Sequence, residues 1–235
     1  MTLDADVIAR AKKLRPWAVT EVLKSQVAGV YRLAYALAGR WDVGRGIARF
    51  VLNRSVKMMP NWDAEQDPSN WYHRFTVMTS RRSAKHQPSN AKEDVLVKQA
   101  LSPDAAYVAF VSALRKLDYQ QREAFLLRHG EKLNERYSAV AMDCSTTAAA
   151  THLAAAEAQM KLVGGVEYEA LLRKLVDAYQ HLTPEEDQLL PSVNQVVFRR
   201  VMVRRWVRWV WYLVLFVVIG LLCSGAWKLW KMIET

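Results

Sequence analysis

The sequence predicts an all-α protein that carries one membrane-crossing helix. Apolar residues recur at three- and four-residue spacing along most of the chain, which is the period of an amphipathic helix. No stretch of useful length alternates apolar and polar residues as a half-buried strand would. Trp209 to Trp227 runs nineteen residues without a charge, about 28 Å of helix against a bilayer core of about 30 Å.

The elements follow in order. Val22, Leu23, Val27, Val30, Leu33, Ala34 and Leu37 form the apolar stripe of a first long helix. Ile47, Phe50, Val51 and Arg54 continue the spacing in a second helix after Gly39–Gly46. Pro60 to Ser69 reads as a loop, and a helix capped by Ser69 or Asn70 runs through Trp71, Phe75 and Met78. Residues 83–103, with two prolines and many polar side chains, read as a linker holding at most one short helix. Helical spacing returns at Tyr107, Val111 and Leu114, again at Phe125 to Leu127 ending near Gly130, and from Leu133 to Met142. A tight break at Asp143–Ser145 precedes a helix from Thr146 to Val163, stopped by Gly164–Gly165. Leu171, Leu172, Leu175 and Tyr179 mark another helix, and Thr183-Pro184-Glu185-Glu186 is a capping box with proline at the first helical position.

The uncharged segment has Trp206, Trp209, Trp211 and Tyr212 at one end and Trp227 and Trp230 at the other, an arrangement expected of an interfacial aromatic belt. Arginines precede it, so the positive-inside rule places the body of the chain in the cytoplasm, anchored to the bacterial inner membrane by a single pass. Trp209, Trp211, Tyr212 and Trp227 are the anchor residues on this reading, and the lipid bilayer is an expected partner.

Charge has to be divided before it means anything. The 235 residues carry 33 basic and 23 acidic side chains, a net charge of +10. Setting aside the five arginines of residues 196–208, Lys228, Lys231 and Glu234 leaves 26 basic and 22 acidic side chains. The body is therefore only mildly basic. Two distant cysteines, Cys144 and Cys223, form no disulfide framework and no cysteine zinc site. The five histidines show no metal-ligand spacing, and no phosphate-binding glycine loop or Gly-x-Ser-x-Gly turn occurs. The expectation is a protein that is not an enzyme and needs no cofactor or metal.

Two stretches carry a resemblance. The first has the Tyr31-Arg32-Leu33-Ala34 phrase, a turn with Gly39 and Asp42, then Trp71-Tyr72-His73-Arg74-Phe75 and the paired Arg81 and Arg82. The second runs from Leu117 to Arg128 as L-D-Y-Q-Q-R-E-A-F-L-L-R, followed by the break at Asp143-Cys144-Ser145. Together, over roughly residues 7–84 and 105–162, they resemble bacterial sigma factors of the sigma-70 family, extracytoplasmic-function group. The resemblance implies a helical region-two-like domain (1–84), a linker (85–104), a helix-turn-helix region-four-like domain (105–163), a helical spacer with a basic juxtamembrane segment (164–208), the membrane helix (209–228) and a short tail (229–235). It implies transcription initiation, with RNA polymerase core, promoter DNA and an anti-sigma or other regulatory protein as partners. Carried onto this chain, the DNA-binding candidates are Trp71, Tyr72, Arg74, Arg81, Arg82 and Lys85 in the first domain, and Ser145, Thr146, Thr147, Thr151 and His152 in the second. The polymerase-binding candidates are Asp42, Arg45 and Arg49.

The chain departs from the family where contact chemistry is concentrated. An acidic phrase that grips a basic coiled coil of polymerase is replaced here by Asp42-Val43-Gly44-Arg45-Gly46-Ile47-Ala48-Arg49, and like charges facing one another cost binding. The lysines and arginines of the recognition helix are replaced by Ala150, His152 and Ala155, which leaves few groups for phosphates and base edges. A second reading follows from these losses: a degenerate sigma fold acting as a membrane-tethered interaction module without initiation activity.

Overall fold

A computed structural model describes residues 4–62, 67–82, 91–184, 186–203, 206–207 and 209–220. It is all-helical, and no strand occurs among the described residues. The N-terminal lobe consists of α1 (Ala5–Lys12), α2 (Pro16–Ala38), α3 (Trp41–Met58) and α4 (Pro68–Arg82). A short α5 (Val95–Gln99) leads to the second lobe, formed by α6 (Ala105–Lys116), α7 (Tyr119–Phe125), α8 (Glu135–Met142) and α9 (Thr146–Gly164). Two further helices, α10 (Tyr168–Gln180) and α11 (Glu186–Val197), close the sequence of packed elements.

Local chemistry sets most boundaries. Pro16 starts α2, where its missing N–H costs nothing, and Gly39 stops it with a left-handed φ of 71°. Asp94, Asp104, Asn134 and Ser145 each accept a backbone N–H at the start of α5, α6, α8 and α9. At α4 the cap is Asp67, which accepts from Ser69 N at 3.0 Å, two or three residues earlier than the Ser69 or Asn70 the pattern suggested.

The glycines at 44 and 46 lie inside α3, not before it. Gly39 alone makes the turn, and α3 begins two residues later. Gly44 is a contact point: a Cβ there would fall 2.9 Å from the Tyr35 Cα of α2 and into the Tyr35 ring. A Cβ on Gly46 would meet nothing within 4 Å. Gly46→Ala should therefore raise stability by about 0.5–1 kcal/mol through helix propensity. Gly44→Ala should lower it by about 1–3 kcal/mol through overpacking. Urea unfolding of the two variants checks the opposite signs.

The buried apolar side chains of both lobes form one continuous cluster that runs from Ala11 in α1 to Val201. α5 is part of it: Val95, Leu96 and Val97 are buried, and Asp94 is fully buried against Arg115, with N–O distances of 2.5 and 3.0 Å. Arg115 also donates to the carbonyl of Ala36 at 2.6 Å. One guanidinium thus joins α2, the start of α5 and α6.

The expected membrane helix, and the inner-membrane location drawn from it, are corrected. Among the described residues no helix is long and apolar enough to cross a membrane. Residues 221–227, the remainder of the uncharged segment, lie outside the described residues. Trp209, Trp211 and Tyr212 are 73%, 69% and 63% exposed. Trp227 and the tail lie outside the described residues.

Candidate nucleic-acid interface

The basic helix α4 packs directly against α8, the first helix of the helix-turn-helix. Three of its polar side chains cross to the second lobe. Arg81 binds the Glu123 carboxylate of α7 in a fork, Nε to Oε1 at 2.9 Å and Nη2 to Oε2 at 2.7 Å, and also donates to the Met142 carbonyl at 2.8 Å. Arg74 donates to Asp143 at 2.7 Å, in the turn between α8 and α9. His73 lies 3.4 Å from Glu131.

Burial decides how these pairs behave. Glu123 is 2% exposed, and burial raises its carboxyl pKa while the Arg81 guanidinium opposes the rise. The hydrogen bond to Glu123 in turn holds Arg81 above its ordinary value. A bidentate, charge-assisted pair of this kind is strong as long as both members stay. Glu131 is a second node. Burial pushes its pKa up, but the hydrogen bond and charge of His73, the Tyr179 hydroxyl and Arg32 outweigh it, and the net shift is downward. Tyr179 of α10 donates to Glu131 at 2.5 Å, and Arg32 of α2 lies 4.0 Å away. The depressed carboxyl contributes stability above its unfolded value near 4.3, and that contribution is lost as pH falls through the folded value.

The aromatics of α4 form a stacked series with α3. Trp71 and Phe75 stack at 4.8 Å and 15°, and Phe75 stacks on Phe50 at 6.1 Å and 10°. Phe50 is 49% exposed, so the outer end of the series is open to solvent. Tyr72 points the other way and is buried at 2%, against Trp62.

The helix-turn-helix is well formed. Asp143 ends α8 with φ 57° and ψ 48°, and Ser145 caps α9 by accepting from Ala148 N at 3.1 Å. Thr146, Thr147 and Thr151 are exposed on α9, and His152 is half-buried. The Thr151 hydroxyl donates back to the Thr147 carbonyl at 2.9 Å. The α9 surface therefore offers hydroxyls and alanine methyls where a groove-reading helix presents long cationic side chains.

Each candidate residue thus has a place. Arg74 and Arg81 are drawn together with the second lobe by ion pairs, Trp71 sits in the stack, Tyr72 is in the core, and Arg82 is exposed. Lys85 lies outside the described residues. Asp42, Arg45 and Arg49 are exposed on α3, with Asp42 taken by Arg40 at 2.7 Å. The structure adds pairings that local pattern did not mark: Arg32, Glu131 and Tyr179 at one node, and Asp94 and Arg115 at another. The partners lie 21 (Asp94–Arg115) to 99 (Arg32–Glu131) positions away, and no helical spacing reaches that far. Glu123 had a signal, since it stands in the Q-R-E phrase, but its partner did not.

No protein-family model and no curated protein sequence matches the chain. Solved structures do. CnrH, determined in complex with the cytosolic domain of CnrY, aligns with a TM-score of 0.55 at 17% identity, covering 68% of this chain and 96% of that one. The sigma factor RpoE from Bartonella quintana, determined in complex with the anti-sigma factor NepR, aligns with a TM-score of 0.50 at 16% identity, covering 63% of this chain and 96% of that one. The chain shares the all-helical fold of these two proteins, the second of them a sigma factor. Nearly the whole sigma-like fold is present, and about a third of this chain lies beyond it.

Proposed function

We propose that this protein is a sigma-factor-like transcription regulator whose two lobes engage promoter DNA and RNA polymerase core, under the control of a regulatory protein segment. The observation that carries the reading is the pairing, in one chain, of a basic helix with stacked aromatics (α4) and a correctly capped helix-turn-helix (α8–α9). Basic residues beside aromatics track single strands by phosphate contact and stacking. A helix after a tight turn enters a major groove. That CnrH was determined with the cytosolic domain of CnrY, and RpoE with the anti-sigma factor NepR, supports a protein partner here.

Pull-down of polymerase core by the full chain, with run-off transcription from a promoter-bearing template, tests this. Capture of core and a promoter-dependent transcript are expected; silence in both ends the reading. A second reading is favoured by a specific observation. The exposed α9 face is alanine and threonine, and Arg45 and Arg49 stand exposed on α3 where the family is acidic. On that reading the fold is an interaction module that has lost initiation. Arg45→Glu with Arg49→Glu would then create polymerase capture where the unmodified chain shows none.

A further inference from the structure

Two helices beyond the sigma-like lobes are seated one on each lobe. α10 lies on the second lobe, against α6 and α9, and buries Leu171, Leu175, Ala178 and Tyr179. Tyr179 fills the space over Gly130, where a Cβ would come within 2.9 Å of its ring, and Gln180 donates to the Gly130 carbonyl at 3.0 Å. Lys174 adds an ion pair to Asp104 at 2.8 Å. α11 lies on the first lobe, against α2 and α3, and buries Val193, Val196 and Val197.

Only residues 181–185 join the two helices. Fully stretched, that segment reaches about 20 Å. The chain between α4 and α5, residues 83–94, reaches about 40 Å by the same measure. While both helices stay seated, the short connection limits how far the lobes part. With the lobes together, Arg81 is spent on Glu123 and Met142, and Arg74 on Asp143. The Arg81 guanidinium is then mostly covered, while Arg74 stays half exposed.

We propose that α10 and α11 form a built-in strap that holds the lobes closed and so keeps Arg81 of α4 from nucleic acid, and that unseating either helix uncovers it. The proposal rests on the sigma-like reading for its nucleic-acid consequence, but not for the closure itself. Charge placed at the α11 seat is the direct probe. In the full chain, Val193→Asp with Val197→Asp drives α11 off α2 and α3, because an unpaired buried carboxylate is costly.

Two readouts separate the claims. The first is the distance between labels on Arg54→Cys and Arg136→Cys, one exposed on each lobe, with Cys144 and Cys223 replaced by Ser. The second is affinity for a fluorescein-labelled single-stranded DNA oligonucleotide at low and high salt. The strap predicts one short distance in the parent and longer, broader distances in the variant. It predicts a gain in DNA affinity of about tenfold, the factor for an open form about one-tenth populated before release. Adding Arg81→Ala removes that gain. An unchanged distance overturns the strap. A longer distance with unchanged DNA affinity leaves the strap standing and overturns the nucleic-acid reading. If the double-aspartate chain loses its helical circular dichroism, Lys174→Glu decides. It sets like charge against the exposed Asp104 without entering the core, and should open the lobes by about threefold; no opening there overturns the proposal.

Discussion

Arg81→Ala should destabilise the protein by about 3–5 kcal/mol at neutral pH, because it leaves the Glu123 carboxylate buried without its partner. Glu123 is 2% exposed and burial already raises its pKa. Without the guanidinium, burial acts unopposed. A carboxyl whose folded pKa stands above its unfolded value near 4.3 stabilises the fold below that value, and loses the contribution as pH rises through the folded one. The deficit of the variant should therefore shrink on acidification towards pH 4. Glu123→Gln, which keeps the shape and removes the charge, should cost less than Arg81→Ala. Urea unfolding of both variants across pH decides it. A pH-independent loss of less than about 1 kcal/mol would mean that the pair is a weak surface contact.

Asp94→Ala has the second largest expected effect. Asp94 caps α5 by accepting from Leu96 N at 2.9 Å, and it neutralises Arg115, whose side chain is 9% exposed and which also holds the Ala36 carbonyl. Removing it leaves a buried guanidinium without a counter-charge, a loss of about 3–5 kcal/mol, and removes a helix cap worth about 1 kcal/mol. For a chain of this size that corresponds to a fall in Tm of about 10 °C or more. Asp6→Ala is the control. Asp6 pairs with Arg10 at 2.8 Å, but both side chains are more than half exposed, so the change should stay below about 1 kcal/mol. Equal losses at the two sites would contradict the burial argument.

The two variants probe the same feature of the molecule. Arg81–Glu123 ties α4 to α7, and Asp94–Arg115 ties the start of α5 to α6 and α2. Both are made between segments that the sequence separates widely, and both hold together lobes that their local patterns describe as separate.

Helical spacing was legible because it repeats over a few residues, whereas the caps at Asp104, Asn134 and Ser145 emerged only with the structure. The helix-turn-helix was legible for the same reason as the spacing. Gly44 was not: in the sequence it looks like a helix breaker, and only the approach of Tyr35 from α2 explains it. Tyr72 looked like an exposed companion of Arg74, but two positions along a helix are a rotation of about 200°, and that turned its ring into the core. The membrane helix was an inference from missing charge, and the described helices contain no span of that length.

The amino-acid sequence by itself determined an all-helical chain, the order and most of the ends of its helices, and the likeness to a sigma-type fold, because each of these is written in spacing, capping and short phrases. Only the tertiary structure decided that the arginines of α4 face carboxylates of the second lobe and that α10 and α11 are seated one on each lobe. Those facts depend on which distant surfaces meet, and ion pairs and buried valines select that meeting through three-dimensional fit rather than through any interval along the chain.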